Sequence, residues 1–220
     1  MGRATALRAT LSAAELVLFD FDGPLCDVFA GYPAPVIARE LEELAGARVS
    51  TDDPLDVLRY VAESRSRFAD VVEDALVTAE VRAVKCSDPN FTGIRALLSC
   101  VESGRRVGIV SNNSGDAVRT FLEMHDLVTV VAPVLGRSYR HPERMKPNEW
   151  PMRKAMVEAD CAADATVFIG DSDTDIQVAK AVSMPCVAYA NKPGKRELFE
   201  SMGAIVIDRM SELTEALAGE

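Results

Sequence analysis

No apolar run in the 220 residues approaches the length that spans a bilayer, and residues 1–14, which carry Arg3 and Arg8, lack the apolar stretch of a secretion signal. The expectation is a cytoplasmic chain that does not engage a membrane. Cysteine is sparse: Cys26, Cys86, Cys100, Cys161 and Cys186 are odd in number, widely spread and free of CxxC pairs. That pattern supplies neither a disulfide framework nor a cysteine metal site, so the thiols read as reduced packing residues. Cys26 has no histidine near it in sequence, which counts against a thiol nucleophile. Positive charge is also short, with 24 Lys and Arg against 34 Asp and Glu, a net charge of −10. Such a balance argues against a nucleic-acid partner and for a small substrate. There are no internal repeats or low-complexity tracts, and a content of 48% hydrophobic and 26% charged residues belongs to an ordinary globular protein. The length suits one domain with an insertion, or two small domains.

What the chain does have is a concentrated signal at residues 16–23, LVLFDFDG. Four consecutive apolar residues fit a strand buried on both faces, and Asp20 and Asp22 come where the run ends. In open α/β sheets ligands bind at the carboxyl ends of the strands, so acids placed there suggest a metal or phosphate site. Alone, the string equally describes a strand ending in a polar turn, and it needs partners further along.

Residues 1–14 read as a loosely held lead-in, followed by a strand over residues 15–21. After Gly23, the residues Pro24, Gly31, Pro33 and Pro35 interrupt the backbone as a linker would. Three helices follow, with stripes at Ile37, Leu41 and Leu44, at Leu55, Leu58 and Val61 behind Asp52 or Asp53 and Pro54, and from Phe68 to Ala79. No strand is expected between Pro24 and Cys86. The reading is an all-helical cap over residues 28–88, inserted into a core made of residues 1–27 and 89–220.

In the second part of the core a helix begins near Thr92 and Gly104 ends it. Strands are expected at residues 106–110, 128–132, 167–169, 185–190 and 204–207, with helices between them and a last helix from Ser211. Strands alternating with helices imply a Rossmann-like α/β core with a mostly parallel sheet. Three polar strand tails then share one edge: Asp20 and Asp22, Ser111 and Asn112, and Asp171 to Asp175.

Converging aspartates repel by about 4 kcal/mol for each pair about 4 Å apart at an effective dielectric near 20, so positive charge has to sit among them. Hard carboxylate oxygens favour Mg²⁺, which accepts a substrate phosphate, and Lys146 supplies a second counter-charge. Ser111, with the backbone amides from Asn112 onward, is placed to donate to a phosphate oxygen.

DFDG at residues 20–23, the strand-end Ser111, the Lys146-Pro147 pair and GDSDTD at residues 170–175 resemble the four ordered motifs of the haloacid dehalogenase superfamily. The helical insertion directly after the first motif resembles the cap of its phosphoglycolate phosphatase-like and phosphoglucomutase-like branches. The resemblance implies that Asp20 is the nucleophile, forming an aspartyl-phosphate, and that Asp22 is the general acid and then the base for water. It implies that Mg²⁺ is held by Asp20, the Asp22 carbonyl and Asp171, with Asp175 as a further ligand or a support. Ser111, Asn112 and Lys146 hold the phosphoryl group. An acid two residues after the nucleophile separates the phosphatases of this superfamily from its dehalogenases, and Asp22 is present. Pro24 stands where Thr or Val is usual.

The implied activity is hydrolysis of a small soluble phosphomonoester, phosphoglycolate or a sugar phosphate. The alternatives are a phosphomutase of the same fold and a receiver-like module phosphorylated on aspartate. Receivers are about half this length and have no cap after the first strand. Among other polar residues, Asp173 reads as solvated or capping, His125 as surface or packing, and Arg137, Arg140, His141 and Arg144 as a solvated basic loop or a phosphate-attracting rim. Tyr32, Arg65 and Arg67 are the cap residues offered as readers of the leaving group.

Overall fold

The computed structural model describes residues 2–218. In chain order the elements are α1 (Arg3–Ala13), β1 (Leu16–Phe19), β2 (Cys26–Asp27), α2 (Ala34–Ala45), α3 (Pro54–Glu63), α4 (Ala69–Val84), β3 (Asp88–Pro89), α5 (Phe91–Glu102), β4 (Arg106–Ser114), α6 (Gly115–Met124), β5 (Val134–Arg137), α7 (Trp150–Ala159), β6 (Thr166–Gly170), α8 (Asp173–Ala181), β7 (Cys186–Tyr189), α9 (Lys195–Ser201), β8 (Ile205–Ile207) and α10 (Ser211–Leu217).

The six longer strands form one parallel sheet in the order β5-β4-β1-β6-β7-β8. β1 is buried on both faces because its side chains alternate between two apolar layers. Val17 and Phe19 join a core with Leu7, Leu11, Leu97, Phe121 and Leu213 from α1, α5, α6 and α10. Leu16 and Leu18 join Met152, Ala155, Val178 and Ala179 from α7 and α8. Each of the four β1 side chains contributes roughly 1.5–3 kcal/mol on burial, which favours β1 at the centre of the sheet. Among the described residues no helix is long and apolar enough to cross a membrane.

Three expectations are corrected. Residues 3–13 are not a loose lead-in but α1, because Leu7 and Leu11, one turn apart, bury against the face that α10 also covers; Met1 lies outside the described residues. The strand expected at residues 128–132 forms instead at Val134–Arg137. Val128 is exposed, the Val130 N–H turns back to the Leu127 carbonyl, and Pro133 has no N–H to give to a ladder. A short strand does occur between Pro24 and Cys86. It is β2, whose Cys26 and Asp27 pair antiparallel with Pro89 and Asp88 of β3. Two residues are too few to show a period in sequence.

Helices α2, α3 and α4 share a core of their own, built from Ile37, Leu41, Val57, Leu58, Val61, Val72 and Leu76. Asp53 starts α3 by accepting the Leu55 N–H at 2.8 Å, with Pro54 in the first turn where its missing N–H costs nothing. Gly46, at φ +61°, ends α2 in the left-handed conformation that a glycine adopts without strain.

Candidate active site

β1 lies between β4 and β6, with Phe19 in register with Ile109 and Ile169. The residues that follow these three strands therefore emerge side by side. Asp20 continues β1, its N–H donating to the Ile169 carbonyl at 2.7 Å, so its side chain is set by the sheet and not by a loop. Asp20, Asp171 and Asp175 each offer a carboxylate oxygen within 4.8 Å of the others.

Lys146 is buried among them. Its Nζ lies 2.9 Å from Asp20 Oδ1 and 2.7 Å from Asp175 Oδ1, and donates to the Val110 carbonyl at 3.2 Å. Burial works against the lysine's charge, but Asp175 and Asp20 outweigh it and hold the ammonium above its ordinary value. For Asp20 the balance goes the other way. Burial pushes it up and Lys146 pulls it down, while Asp175 and Asp171 add repulsion, and the result is about 8. Burial likewise raises Asp22 to about 6, against a hydrogen bond from the Val28 N–H to Asp22 Oδ1 at 3.0 Å and with repulsion from Asp171 and Asp27. Cys26 is buried and its thiol is pushed up, chiefly by desolvation, so it is no nucleophile.

The carboxylates differ in what remains free. Asp175 is fully enclosed: Oδ1 meets Lys146, and Oδ2 accepts the N–H groups of Asp171 and Ser172 at 3.0 Å each, as the return half of a capping box opening α8. Asp20 Oδ1 accepts the Phe21 N–H at 2.7 Å, and Asp171 Oδ2 meets Asn191 and Lys195 at 2.8 Å. Asp20 Oδ2 and Asp171 Oδ1 have no hydrogen-bond donor among the described residues. Two free hard oxygens in an acid-rich cleft suit a divalent cation of the Mg²⁺ kind.

Backbone close packing makes the cleft possible. Gly23 has φ +97°, and a Cβ there would stand 2.5 Å from the Asp171 carboxyl. Only glycine lets the turn after Asp22 pass that close. Pro24 is accommodated by a matching glycine, since a Cβ on Gly93 of α5 would fall 1.8 Å from the Pro24 carbonyl oxygen. The Asn90 N–H donates to the Leu25 carbonyl at 2.9 Å and ties the same turn to the start of α5.

Ser111 is buried within β4, its Oγ accepting the Asn113 N–H at 3.1 Å and donating to Asn113 Oδ1 at 3.2 Å. The Asn112 carboxamide is spent on the backbone of Lys146, accepting its N–H at 2.8 Å and donating to its carbonyl at 3.2 Å. Asn112 thus anchors the lysine with its side chain.

A cavity of about 1090 Å³ opens over these residues. Its floor is Asp20, Asp22, Ser111, Asn112, Lys146 and Asp171, and its opposite wall includes Phe29, Asp52, Asp53, Leu55 and Arg59 from the helical insertion. The residues offered earlier as readers of the leaving group do not line it. Tyr32 bonds Glu40 and stacks beneath Arg82, and Arg67 lies over Phe68. Arg59 does line it, held 2.8 Å from Asp56. For the basic stretch the rim alternative is not met, since none of Arg137, Arg140, His141 and Arg144 lines the cavity; Arg140 and His141 are solvated as expected, and Arg137 is not. Arg137 is buried against Glu73 and Glu80, Arg140 pairs with Asp70, His141 with Glu143, and Arg144 covers Trp150. Asp173 is exposed in the first turn of α8, and His125 packs on Phe121 with ring centroids 4.3 Å apart. Lys192, Asn191 and Lys195 were missed, although the strand-tail rule applied to β7 would have reached the first two.

Residues 17–189 match the family model described as haloacid dehalogenase-like hydrolase. A phosphoglycolate phosphatase from Rhodospirillum rubrum is 27% identical over 219 residues, covering 88% of this chain and 86% of that protein. A second, from Pseudomonas syringae, is 27% identical over 217 residues, covering 90% and 78%. Among solved structures, a predicted phosphatase from Clostridium acetobutylicum superposes with a TM-score of 0.72 at 18% identity, over 94% of this chain and 99% of that one. CbbY from Rhodobacter sphaeroides, solved in complex with phosphate, gives 0.72 at 17% identity over 93% and 99%. At these identities the structural likeness is one of fold.

Proposed function

Since the chain belongs to the haloacid dehalogenase-like hydrolase family, we propose that it is a phosphatase that hydrolyses a small soluble phosphomonoester through an aspartyl-phosphate on Asp20. The observation that carries this reading is the meeting of Asp20, Lys146 and Asp171 beneath one cavity, with Asp22 two residues from Asp20 and held up to about 6. Phosphoryl transfer asks mostly for positioning and charge neutralisation, and those are the properties of this cleft.

Asp20 Oδ2, the oxygen without a protein donor, attacks phosphorus, and the bond from phosphorus to the alcohol oxygen breaks. Asp22, raised by burial, gives its proton to that oxygen. In the second half, water attacks the phosphorus of the aspartyl-phosphate, Asp22 takes the water's proton, and Asp20 leaves as carboxylate. Lys146 neutralises charge, Ser111 Oγ turns its proton from Asn113 Oδ1 to a phosphoryl oxygen, and the backbone at Asn112 lies beside it. Asp20, Asp171 and the Asp22 carbonyl would hold Mg²⁺, with Asp175 fixing the Asp171 backbone, and the ion would supply further neutralisation of the phosphoryl group.

Residues 28–88 act as a cap in this reading, since α3 supplies Arg59 to the wall facing Asp20 and the β2–β3 ribbon lies where the insertion leaves and rejoins the core. Phosphate release is measured from a panel holding 2-phosphoglycolate, sugar phosphates and glycerol phosphates, with Mg²⁺ and with chelator. Release dependent on Mg²⁺ is the expected result. A panel without turnover, or turnover that survives Asp20→Asn, overturns the assignment.

A further inference from the structure

Arg137, at the end of β5, is buried with Glu73 and Glu80 of α4, all three side chains being at most 3% exposed. Burying such a cluster is a weak source of stability, because desolvation cancels most of the attraction and apolar replacements are often neutral or better. What the charges hold is therefore informative. Arg137 forks onto both oxygens of Glu80, at 2.8 and 3.2 Å, and its Nη1 also donates to the Asn112 carbonyl at 2.9 Å. Glu80 Oε2 accepts the Ser114 N–H at 2.9 Å. The pair thus grips the strand tail on both sides of Asn113.

A trans peptide sends its carbonyl and its N–H in opposite directions. Fixing the Asn112 carbonyl on Arg137 turns the Asn113 N–H the other way, where it donates to Ser111 Oγ at 3.1 Å. Asn112, in the same held segment, carries the carboxamide that clasps the Lys146 backbone. We propose that Glu80 and Arg137 are a positioning pair, which reaches from a helix of the insertion to the Asn112–Asn113 peptide and the Ser114 N–H and so aims Ser111 and Lys146 at the phosphoryl group. This role rests on the phosphatase reading above. It also makes α4 part of the phosphate site's support, in contrast to α3, which only faces the cavity.

The test uses inorganic phosphate as a competitive inhibitor of p-nitrophenyl phosphate hydrolysis by the full chain with Mg²⁺, alongside KM, kcat and thermal melting. Arg137→Lys keeps the cation and loses the fork, and Glu80→Gln keeps the acceptor and loses the charge. Each is expected to weaken phosphate inhibition and lower kcat/KM by about 10- to 100-fold, the scale seen when groups that orient a site's ligands are removed. Tyr139→Phe removes another bridge from the same region to α4, the 2.6 Å bond to Asp74, without touching the strand tail, and stays within about twofold of the wild type. A purely structural pair would shift melting and leave phosphate inhibition of the folded variants unchanged, which overturns the proposal. Hydrogen exchange on the wild type decides the matter if both variants fail to fold: Asn113 and Ser114 amides as slow as Ile109 support the grip, and loop-like exchange refutes it. An active wild type with unaffected variants defeats the pair alone, whereas a wild type that releases no phosphate from the panel defeats the phosphatase reading first.

Discussion

Replacing Lys146 by Met removes one buried charge at nearly constant volume and leaves Asp20 and Asp175 facing each other. Their oxygens lie within 4.8 Å, a separation at which two carboxylates repel by about 3.5 kcal/mol at an effective dielectric near 20. Breaking a buried pair by removing one partner costs about 3–5 kcal/mol, which agrees in size. For a chain of this length that lowers the melting temperature by about 6 to 20 °C. The loss depends on pH in a definite direction. Asp20 already sits near 8 with Lys146 beside it, and without the lysine it rises further, so in acid it is protonated and the repulsion disappears. Denaturant unfolding of both proteins in chelator should therefore show a larger deficit at about pH 10, above the wild-type value of Asp20, than at about pH 5. Phosphate release should fall by at least about 100-fold, the effect of losing one charge-stabilising donor. No deficit at about pH 10, or a deficit that is the same at both pH values, would refute the electrostatic account of this cluster.

Metal-free wild type should itself lose stability from this site as pH rises. Asp20 and Asp22 move from 3.8 to about 8 and about 6 on folding, so the native state keeps protons that the unfolded chain releases. The contribution is then fully present below pH 3.8 and is lost as pH climbs toward about 8. Added Mg²⁺ should accordingly raise the melting temperature more at pH 8 than at pH 5, and an equal gain at both would count against binding at these carboxylates. Gly23→Ala places a methyl 2.5 Å from the Asp171 carboxyl at φ +97°, and should lower kcat by at least about tenfold with Mg²⁺ affinity falling in step; unchanged Mg²⁺ titration would contradict the close approach. Arg59→Ala should raise KM by about 3- to 30-fold with kcat nearly constant for a substrate whose leaving group reaches α3, and a fall in kcat alone would place Arg59 in the chemistry instead.

Much of the core was legible because its signals are local. Four apolar residues just before the DFDG motif marked the central strand, and alternation of strands with helices placed three polar tails on one edge. A helix stands where one was expected before the strand at Thr166–Gly170, at Trp150–Ala159. α1 was not, since only Leu7 and Leu11 carry its buried face and their partner α10 lies at the other end of the chain. Arg137 looked like one more charge in a basic loop because Glu73 and Glu80 stand more than fifty residues before it. Asp175 shows the same limit at closer range. The motif located it, but periodicity could not tell that both its oxygens would be taken by Lys146 and by two N–H groups. Which insertion side chains face the cavity depends on how three helices pack, and a single stripe of apolar spacing leaves Arg59 and Arg67 indistinguishable.

The covalent step is tested most directly by stopping the reaction after its first half. Asp22→Asn keeps the nucleophile and removes the base for water, so enzyme mixed with ³²P-labelled p-nitrophenyl phosphate, whose leaving group departs without a proton, and quenched in acid should carry label on the peptide that contains Asp20. Rapid phosphate release by the wild type with no label on that peptide in either protein would contradict attack by Asp20.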